Sequence, residues 1–268
     1  MIIKEIKCKS LLNKSKLADY CINCYVGCEH ACIYCYAEYY TKKYTQHKEE
    51  WGSFVDVKKN APEVLRREIL KKRKGSVFLS SFTDPYQPLE KKYELTRKCL
   101  EILLRNGFSV WIQTKSSLIV RDLDILKKFK EKCEVCFTIT TLREDFRRVF
   151  EPKSSCVEEK LNAIKILKEN GIKLSAFFGP ILPFFSDENL EEYFRILKNE
   201  GIEEFWVDKL NLKPGIWEKM ENVLSKNFPE ALEKWEGIFL RKSDYYEKLK
   251  RKISEIGKKE GIKVIFCY

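Results

Sequence analysis

Residues 77–112 read VFLSSFTDPYQPLEKKYELTRKCLEILLRNGFSVWI and hold one complete repeat unit of the chain. The apolar run Val77 to Leu79 predicts a buried strand, and apolar residues then recur at helical spacing between residues 95 and 103. Gly107 follows that helix and supplies the left-handed conformation with which helices commonly end. The next apolar run, Phe108 to Ile112, predicts a second strand, so the unit predicts two parallel strands joined by a helix.

The same unit recurs along the chain. Further apolar runs occur at Val135 to Ile139, Leu174 to Phe178 and Phe205 to Val207, each separated from the next by an amphipathic segment and a glycine. Another short run lies near residues 22–26, which brings the prediction to about six strands. Alternating strands and helices predict a parallel sheet with right-handed crossovers, either open and doubly wound or rolled into a closed or partial barrel.

Polar residues follow these strands at their carboxyl ends. The tips are Ser80 to Asp84, Gln113 to Lys115, Thr138 to Thr141 and Asp208 to Asn211. Any one of them alone is typical of an ordinary loop or helix cap. Because ligands of parallel α/β folds bind at the carboxyl ends of the strands, four polar tips in register predict a binding site at that edge.

Composition and charge narrow the class of protein. The chain has 268 residues, a formal net charge of +11, eleven cysteines and two histidines. The positive charge suits a polyanionic or acidic partner, or simply gives a soluble basic surface, and the scarcity of histidine argues against histidine-based acid–base catalysis. No apolar segment is long enough to span a membrane and the first residues lack the order of a signal peptide, so we expect a cytoplasmic protein. In such a protein, many cysteines indicate metal or redox chemistry.

The densest cysteine segment, from Cys21 onward, reads CINCYVGCEHACIYCYA. It contains the spacing Cys28-x3-Cys32-x2-Cys35, and three thiolates on one short loop can bind three irons of a [4Fe–4S] cube, leaving the fourth iron open. Zinc is the alternative, with Cys21 or Cys24 as a fourth thiolate, although structural zinc sites usually present two close ligand pairs separated by a longer span.

The string Cys28-x3-Cys32-x-Tyr34-Cys35 resembles the motif of the radical S-adenosylmethionine (radical SAM) superfamily, with its aromatic residue before the last cysteine. The longer string Asn23 to Ala37 resembles, more narrowly, the spore photoproduct lyase-like branch, also called DNA repair photolyase-like. Further segments match that branch in the expected order: Ser81 to Glu90, Thr114 to Ser116, Arg121 to Leu123, Thr138 to Thr141, Phe150 to Pro152 and Pro180 to Pro183.

This resemblance implies an α/β fold, a partial (β/α)6 barrel of TIM type, over residues 1–212, with the cluster loop 28–35 after the first strand. Residues 213–268 break the repeat at Lys213-Pro214-Gly215, and we expect a helical extension packed on the core and ending in the apolar strand Val264 to Phe266. The resemblance also implies that SAM chelates the open iron and is cleaved reductively, giving methionine and a 5′-deoxyadenosyl radical that abstracts hydrogen from a substrate.

The family's functional residues map onto matching positions of this chain. Cys28, Cys32 and Cys35 correspond to the cluster ligands, and Tyr34 to the aromatic residue that lies against the adenine of SAM. Six polar residues at the strand tips correspond to SAM contacts: Ser81, Thr83, Asp84, Lys115, Thr138 and Thr140. The first three are expected at the methionine ammonium group and the two later threonines at the ribose or carboxylate. Lys115 is expected at the carboxylate, unless it is only a solvated turn lysine.

Two features depart from the branch. Cys24 replaces its usual proline and Cys21 is additional, and we expect both to be small buried side chains. The lyase that names the branch is thought to use a cysteine near the second strand tip as hydrogen donor, where this chain has Ser80-Ser81, so thymine-dimer repair itself is not expected.

The resemblance also implies an acidic one-electron donor of the flavodoxin or ferredoxin type, for which a basic surface is suited. A nucleic acid is the candidate substrate, and Tyr39, Tyr40 and Tyr44 are suited either to stacking of bases or to helix packing. The alternative from another class is a non-catalytic nucleic-acid-binding protein that contains zinc or an iron–sulfur cluster.

Overall fold

The computed structural model describes residues 1–268. Eleven strands are present: β1 Ile2–Ile6, β2 Asn13–Lys14, β3 Tyr20–Ile22, β4 Tyr25–Val26, β5 Phe54–Lys58, β6 Ser76–Leu79, β7 Ser109–Thr114, β8 Cys133–Thr138, β9 Lys173–Ile181, β10 Glu204–Lys209 and β11 Lys263–Phe266. Eleven α-helices accompany them: α1 Tyr36–Tyr44, α2 Ala61–Ile69, α3 Glu90–Tyr93, α4 Leu95–Arg105, α5 Leu123–Phe129, α6 Glu144–Phe150, α7 Val157–Glu169, α8 Leu190–Asn199, α9 Ile216–Asn227, α10 Pro229–Phe239 and α11 Tyr245–Glu260. None of these helices is long and apolar enough to cross a membrane.

The main sheet has eight strands in the order β11-β10-β9-β8-β7-β6-β3-β2. All neighbours are parallel except β2 and β3. Five of the six strands predicted from the apolar runs are β6 to β10, and the predicted final strand is β11. The sixth run, near residues 22–26, divides into the end of β3 and the separate strand β4, and only β3 belongs to this sheet. The linear order leaves β2 and β11 as edges, so the sheet is open, as in a partial barrel.

Helices bury their apolar faces against this sheet. In α4, Cys99, Leu100 and Leu103 are fully buried in the main core, and burial of each leucine contributes about 1.5–3 kcal/mol. Gly107 follows α4 with φ of +75°, which confirms the predicted left-handed helix end. Local periodicity therefore gives the correct order of strands and helices.

A second, smaller sheet was not predicted. It has the order β1-β5-β4, with β1 parallel and β4 antiparallel to β5. Strand β1 is mostly exposed, and β4 has only two residues, so neither shows a clear apolar pattern. This sheet matters for the site because β4 leads directly into the loop that carries the three cysteines.

The C-terminal segment combines helices with an edge strand. Helices α9 and α10 form a second apolar cluster with Phe150 and Phe185, and Trp235 at its centre donates a 3.0 Å hydrogen bond to the Pro183 carbonyl. Helix α11 leads into β11, which pairs with β10 in parallel. Lys219 of α9 forms an ion pair with the buried Glu38 of α1, which ties this segment to the helix that follows the cysteine loop.

Candidate cluster and cofactor site

The loop between β4 and α1 carries the three cysteines and is held from two sides. The Glu29 amide donates a 2.9 Å hydrogen bond to Oε1 of Gln87, in the loop after β6. The Ile33 amide donates a 3.0 Å hydrogen bond to the Phe150 carbonyl at the end of α6. The loop is therefore positioned by segments that follow two different strands of the main sheet.

Close backbone contacts also hold the loop against the small sheet. Gly27 has φ of +84°, and a Cβ atom there would lie 2.5 Å from the Phe54 carbonyl oxygen. A Cβ on Gly52 would lie 2.2 Å from Cβ of Ala31. Neither position has room for a side chain, so glycine is required for this close approach.

The three cysteines are free thiols within this loop. Cys28 and Cys32 are buried, and Cys35 is half-buried at the N-cap of α1. Three soft thiolates suit an iron–sulfur cluster in which each binds a different iron. A structural zinc site is usually closed by four protein ligands, whereas three thiolates leave one iron of a [4Fe–4S] cube open, so this donor set fits a cluster better than a structural zinc ion.

Burial strongly affects these thiols. It raises the pKa of Cys28 to about 12, and it also raises the pKa values of Cys32 and Cys35. Metal ligation requires thiolates, so binding of iron at these cysteines would release protons.

The two additional cysteines lie elsewhere. Cys24 is in the main core, with its Sγ 3.7 Å from Sγ of Cys99, as expected for a small buried side chain. Cys21 is buried in the middle of β3, with its Sγ 3.2 Å from Oγ of Ser81. The position of Cys24 removes it from the zinc alternative, and the contact of Cys21 with the second strand tip was not foreseen.

A buried carboxylate anchors the aromatic residue of the loop. Glu151 is fully buried and accepts hydrogen bonds from Oη of Tyr34, from Oγ1 of Thr140 at 2.8 Å and from Oγ of Ser154 at 3.2 Å. Lys160, also buried, donates to it at 3.2 Å. Burial alone would raise the pKa of Glu151, but Lys160 and the other donors lower it to about 2. Glu151 was not predicted as a functional residue; its place in the segment Phe150 to Pro152 was the only signal.

Lys115 lies at the tip of β7, above Tyr34. Its Nζ is 5.9 Å from the centre of the Tyr34 ring and has no hydrogen-bond partner in the chain. Burial opposes its charge, but Glu151 and Cys32 together with other acidic groups raise its pKa. The site therefore contains a protonated ammonium group that is free to bind an anionic ligand.

Asp84 joins the tips of β6 and β7. Its Oδ1 accepts from the amide of Tyr86 at 2.8 Å and from Oγ1 of Thr114 at 2.7 Å, and its Oδ2 accepts from the Lys115 amide at 2.7 Å. Nδ1 of His30 lies 3.4 Å from Oδ2. Burial raises the pKa of Asp84, but His30 and these donors more than offset it and lower the pKa. Asp84 is thus charged and largely engaged within the protein.

The remaining predicted residues differ in whether their hydroxyl groups already have hydrogen-bond partners within the protein. Oγ1 of Thr83 is buried without a hydrogen-bond partner, which is unusual for a hydroxyl and points to a polar ligand. Oγ of Ser81 contacts Asn23 and Cys21, and Oγ1 of Thr138 accepts from Gln113 at 3.2 Å. Thr140 is engaged with Glu151. The structure thus brings all of these residues to one edge of the sheet and leaves Thr83 and Lys115 unpaired.

An open parallel sheet with a three-cysteine loop at its carboxyl edge defines the class of protein. A family model, the radical SAM superfamily, matches residues 22–197, and the chain belongs to that superfamily. Over 260 residues it is 36% identical to an uncharacterized protein of Methanocaldococcus jannaschii, covering 96% of this chain and 94% of the relative. It is also 24% identical, over 58% of its length and 32% of the relative, to the radical SAM Nalpha-GlyT isomerase of Pseudomonas phage M6.

Solved structures share the fold. A mutant spore photoproduct lyase with bound AdoMet and dinucleoside spore photoproduct superposes with a TM-score of 0.74 at 14% identity, covering 99% of this chain and 81% of that one. The superfamily uses SAM and a [4Fe–4S] cluster. The protein is therefore a radical SAM enzyme that performs SAM-dependent radical chemistry on a fold of the spore photoproduct lyase type.

Proposed function

We propose that this enzyme cleaves SAM reductively at a [4Fe–4S] cluster held by Cys28, Cys32 and Cys35, and that the 5′-deoxyadenosyl radical abstracts hydrogen from a nucleic acid. The observation that carries the first part is the set of three free thiols on a braced, largely buried loop, next to the unpaired ammonium group of Lys115. The cofactors, when bound, supply the electron transfer and the radical, and the chain supplies position and exclusion of water.

Each residue of the site has a distinct task in this proposal. Lys115 pairs with the carboxylate of SAM, and the Tyr34 ring, held through its hydroxyl by Glu151, lies against the adenine. The unpartnered hydroxyl of Thr83, with Ser81 beside it, accepts from the methionine ammonium group. Asp84 contributes negative charge at the same point while it joins the strand tips.

Two threonines complete the cofactor site. Thr138 has accepted one hydrogen bond from Gln113 and still has its own hydroxyl hydrogen to donate to the ribose or carboxylate. Thr140 donates to Glu151, so its remaining contribution to a ligand is as an acceptor. Thr138 is the last residue of β8 and Thr140 lies just after it, and β8 is next to β7, the strand that Lys115 follows.

Two partners follow from charge and from the structural comparison. The net charge of +11 suits an acidic one-electron donor of the flavodoxin or ferredoxin type, which must approach the cluster to reduce it. The same charge suits a nucleic acid, and the related spore photoproduct lyase structure contains a dinucleoside photoproduct.

Anaerobic reconstitution with iron and sulfide tests the proposal. We expect a brown protein with about four irons per chain that forms 5′-deoxyadenosine from SAM under dithionite. Cys28→Ala, Cys32→Ala and Cys35→Ala should each lose both properties. Cys133→Ala is the matched control, because Cys133 is equally buried but lies at the start of β8, outside the loop.

Two results would overturn the proposal. One is a colourless protein that retains a single zinc ion after purification. The other is formation of 5′-deoxyadenosine at the wild-type rate by any of the three loop variants.

A further inference from the structure

Helix α1 begins at the cluster loop and carries a row of aromatic side chains. Tyr36, Tyr40 and Tyr44 are spaced four residues apart and therefore lie on one face of the helix. Phe82, from the loop after β6, joins this row, with its ring 6.3 Å from Tyr36 and 5.8 Å from Tyr40. We call these four residues the aromatic strip.

The aromatic strip is exposed to an extent that helix packing does not explain. The exposed fractions are 71% for Tyr44 and 41% for both Tyr36 and Phe82. The only other aromatic side chain among the exposed large apolar residues is Phe184, at 38%. Three of the four exposed aromatic side chains thus lie together, which is characteristic of a binding surface.

Two lysines lie beside the strip. Nζ of Lys43 lies 5.5 Å from the centre of the Tyr44 ring, and Nζ of Lys213 lies 5.6 Å from that of Tyr40. The one carboxylate of α1, Glu38, is buried and paired with two other lysines. Aromatic faces beside free ammonium groups match bases beside phosphates, because stacking takes place on the ring and the lysine meets the backbone.

The strip leads into the candidate site. Tyr36 follows Cys35 directly, and its Oη donates a 2.7 Å hydrogen bond to the carbonyl of Ser81 at the second strand tip. The nine residues from Tyr36 to Tyr44 are separated by eight steps of about 1.5 Å, so the strip extends about 12 Å along the helix. One strand of B-form DNA advances about 3.4 Å per nucleotide, so at that stacked spacing the strip has room for about three nucleotides.

We propose that the aromatic strip binds a single-stranded segment of DNA or RNA and leads one of its nucleotides to the site. This inference rests on the proposed function, because it assumes that the enzyme acts on a nucleic acid. It adds that the substrate is bound as an unpaired strand, whose bases are free to stack on the rings, and that binding tolerates different base sequences.

Fluorescence anisotropy with the reconstituted full-length enzyme tests this inference. The probes are labelled oligodeoxyuridylate and oligouridylate of about twelve nucleotides, which differ only in the sugar, with a duplex of the same length for comparison. We expect Tyr44→Ala and Phe82→Ala each to weaken binding of the single strands by on the order of fivefold or more, and Tyr44→Trp to retain it. Phe184→Ala is the matched control, since Phe184 is similarly exposed and has Lys234 5.3 Å from its ring centre, and it should bind as wild type.

Salt dependence separates stacking from charge. Tyr44→Ala and Phe82→Ala should leave the slope of log K against log salt unchanged, whereas Lys43→Ala combined with Lys213→Ala should make it shallower. A difference in affinity between the two oligonucleotides identifies DNA or RNA as the preferred strand.

Three outcomes would overturn the inference: no binding of either single strand by the wild type, tighter binding of the duplex than of the single strands, or unchanged affinity in both strip variants. Weakened binding of an acidic flavodoxin, with oligonucleotide binding intact, would assign the strip to the electron donor instead. Formation of 5′-deoxyadenosine by the dithionite-reduced wild type requires neither partner. That assay therefore reports failure of the proposed function separately.

Discussion

The buried pair of Glu151 and Lys160 allows a quantitative test of how the site is supported. Both side chains are almost completely excluded from solvent, and their charged atoms are 3.2 Å apart. Glu151→Gln preserves the shape and an acceptor oxygen for Tyr34 and Thr140. The substitution removes the charge that balances the Lys160 ammonium group, and it replaces Oε2, which accepts from Ser154 and Lys160, with an amide NH2 group.

The expected magnitude follows from that imbalance. Removing one partner of a buried ion pair costs about 3–5 kcal/mol, because the other charge stays buried without compensation. A domain has a free energy of unfolding of about 5–15 kcal/mol, so the loss is a large fraction of the total. Glu151→Gln combined with Lys160→Met removes the uncompensated charge, and we expect it to recover most of the loss, a coupling that a double-mutant cycle measures.

Urea unfolding of the cluster-free protein under anaerobic conditions is the assay, with the m-value checked for constancy. Lys248→Met is the control, because Lys248 pairs with Asp244 on the surface, where an ion pair contributes about 0–1 kcal/mol. A loss of unfolding free energy below about 1 kcal/mol in Glu151→Gln would contradict the expected cost of an uncompensated buried charge. So would a double variant whose loss of stability equals the sum of the losses in the two single variants, because the two residues would then not be coupled.

The pH dependence provides a second check on the same residue. The pKa of Glu151 is lowered to about 2 in the folded protein, compared with about 4.3 for an unperturbed glutamate. A group whose folded-state pKa is lowered stabilises the protein fully above its unfolded pKa, and this stabilisation is lost as the pH falls toward the folded value. The difference in stability between wild type and Glu151→Gln should therefore be constant near neutral pH and shrink below about pH 4.

Three further predictions concern the cofactor, the loop and the small sheet. Lys115→Ala should weaken SAM binding at least tenfold, measured by calorimetry, because it removes a charge-assisted hydrogen bond worth about 1.5 kcal/mol. Unchanged affinity for SAM would refute the proposed contact of Lys115 with the carboxylate. Gly27→Ala should lower both the iron content and the urea midpoint. The φ of +84° at this position costs about 1–2 kcal/mol for alanine, and the alanine Cβ would meet the Phe54 carbonyl. A variant that binds the full amount of iron and is as stable as the wild type would contradict this. Burial opposes the charge on His47, but the contact of its ring with Asp56 raises its pKa in the folded protein. The charged His47 therefore stabilises the fold below about pH 6.5, and this stabilisation is lost as the pH rises through the raised pKa. The urea midpoint should therefore fall more between about pH 6 and 8 in the wild type than in His47→Gln, and parallel profiles would refute it.

Strands β6 to β10 of the main sheet were predictable because each is a short apolar run bounded by polar residues or glycine, whereas the exposed pair Asn13–Lys14 of β2 was not predicted. Helix α4 was predictable for a related reason, since its buried residues recur with the period of a helix. The small sheet escaped prediction because β1 is exposed along most of its length and β4 is very short. Such strands are specified by pairing with β5, a non-local contact that leaves no periodic pattern.

Some features of the candidate site are likewise visible in the sequence, and others depend on contacts between distant segments. The spacing of Cys28, Cys32 and Cys35 is visible in the sequence, and their placement on one short loop follows from it. Glu151 was not recognised, because it lies 117 residues from Tyr34 in the sequence and acts through a hydrogen bond that exists only after folding. The sequence likewise left the tyrosines of α1 open between packing and binding, and their exposure is a property of the folded surface.

The sequence by itself determined the repeat of strands and helices and the three-thiol loop, because both depend on residues close together along the chain. Only the tertiary structure decided which polar groups remain free to bind a ligand. Asp84 and Lys115 both follow strands of the same sheet, yet the carboxylate of Asp84 is engaged by neighbouring strand tips whereas the ammonium group of Lys115 is unpaired. That distinction comes from the distances between segments brought together by folding, which no local pattern encodes.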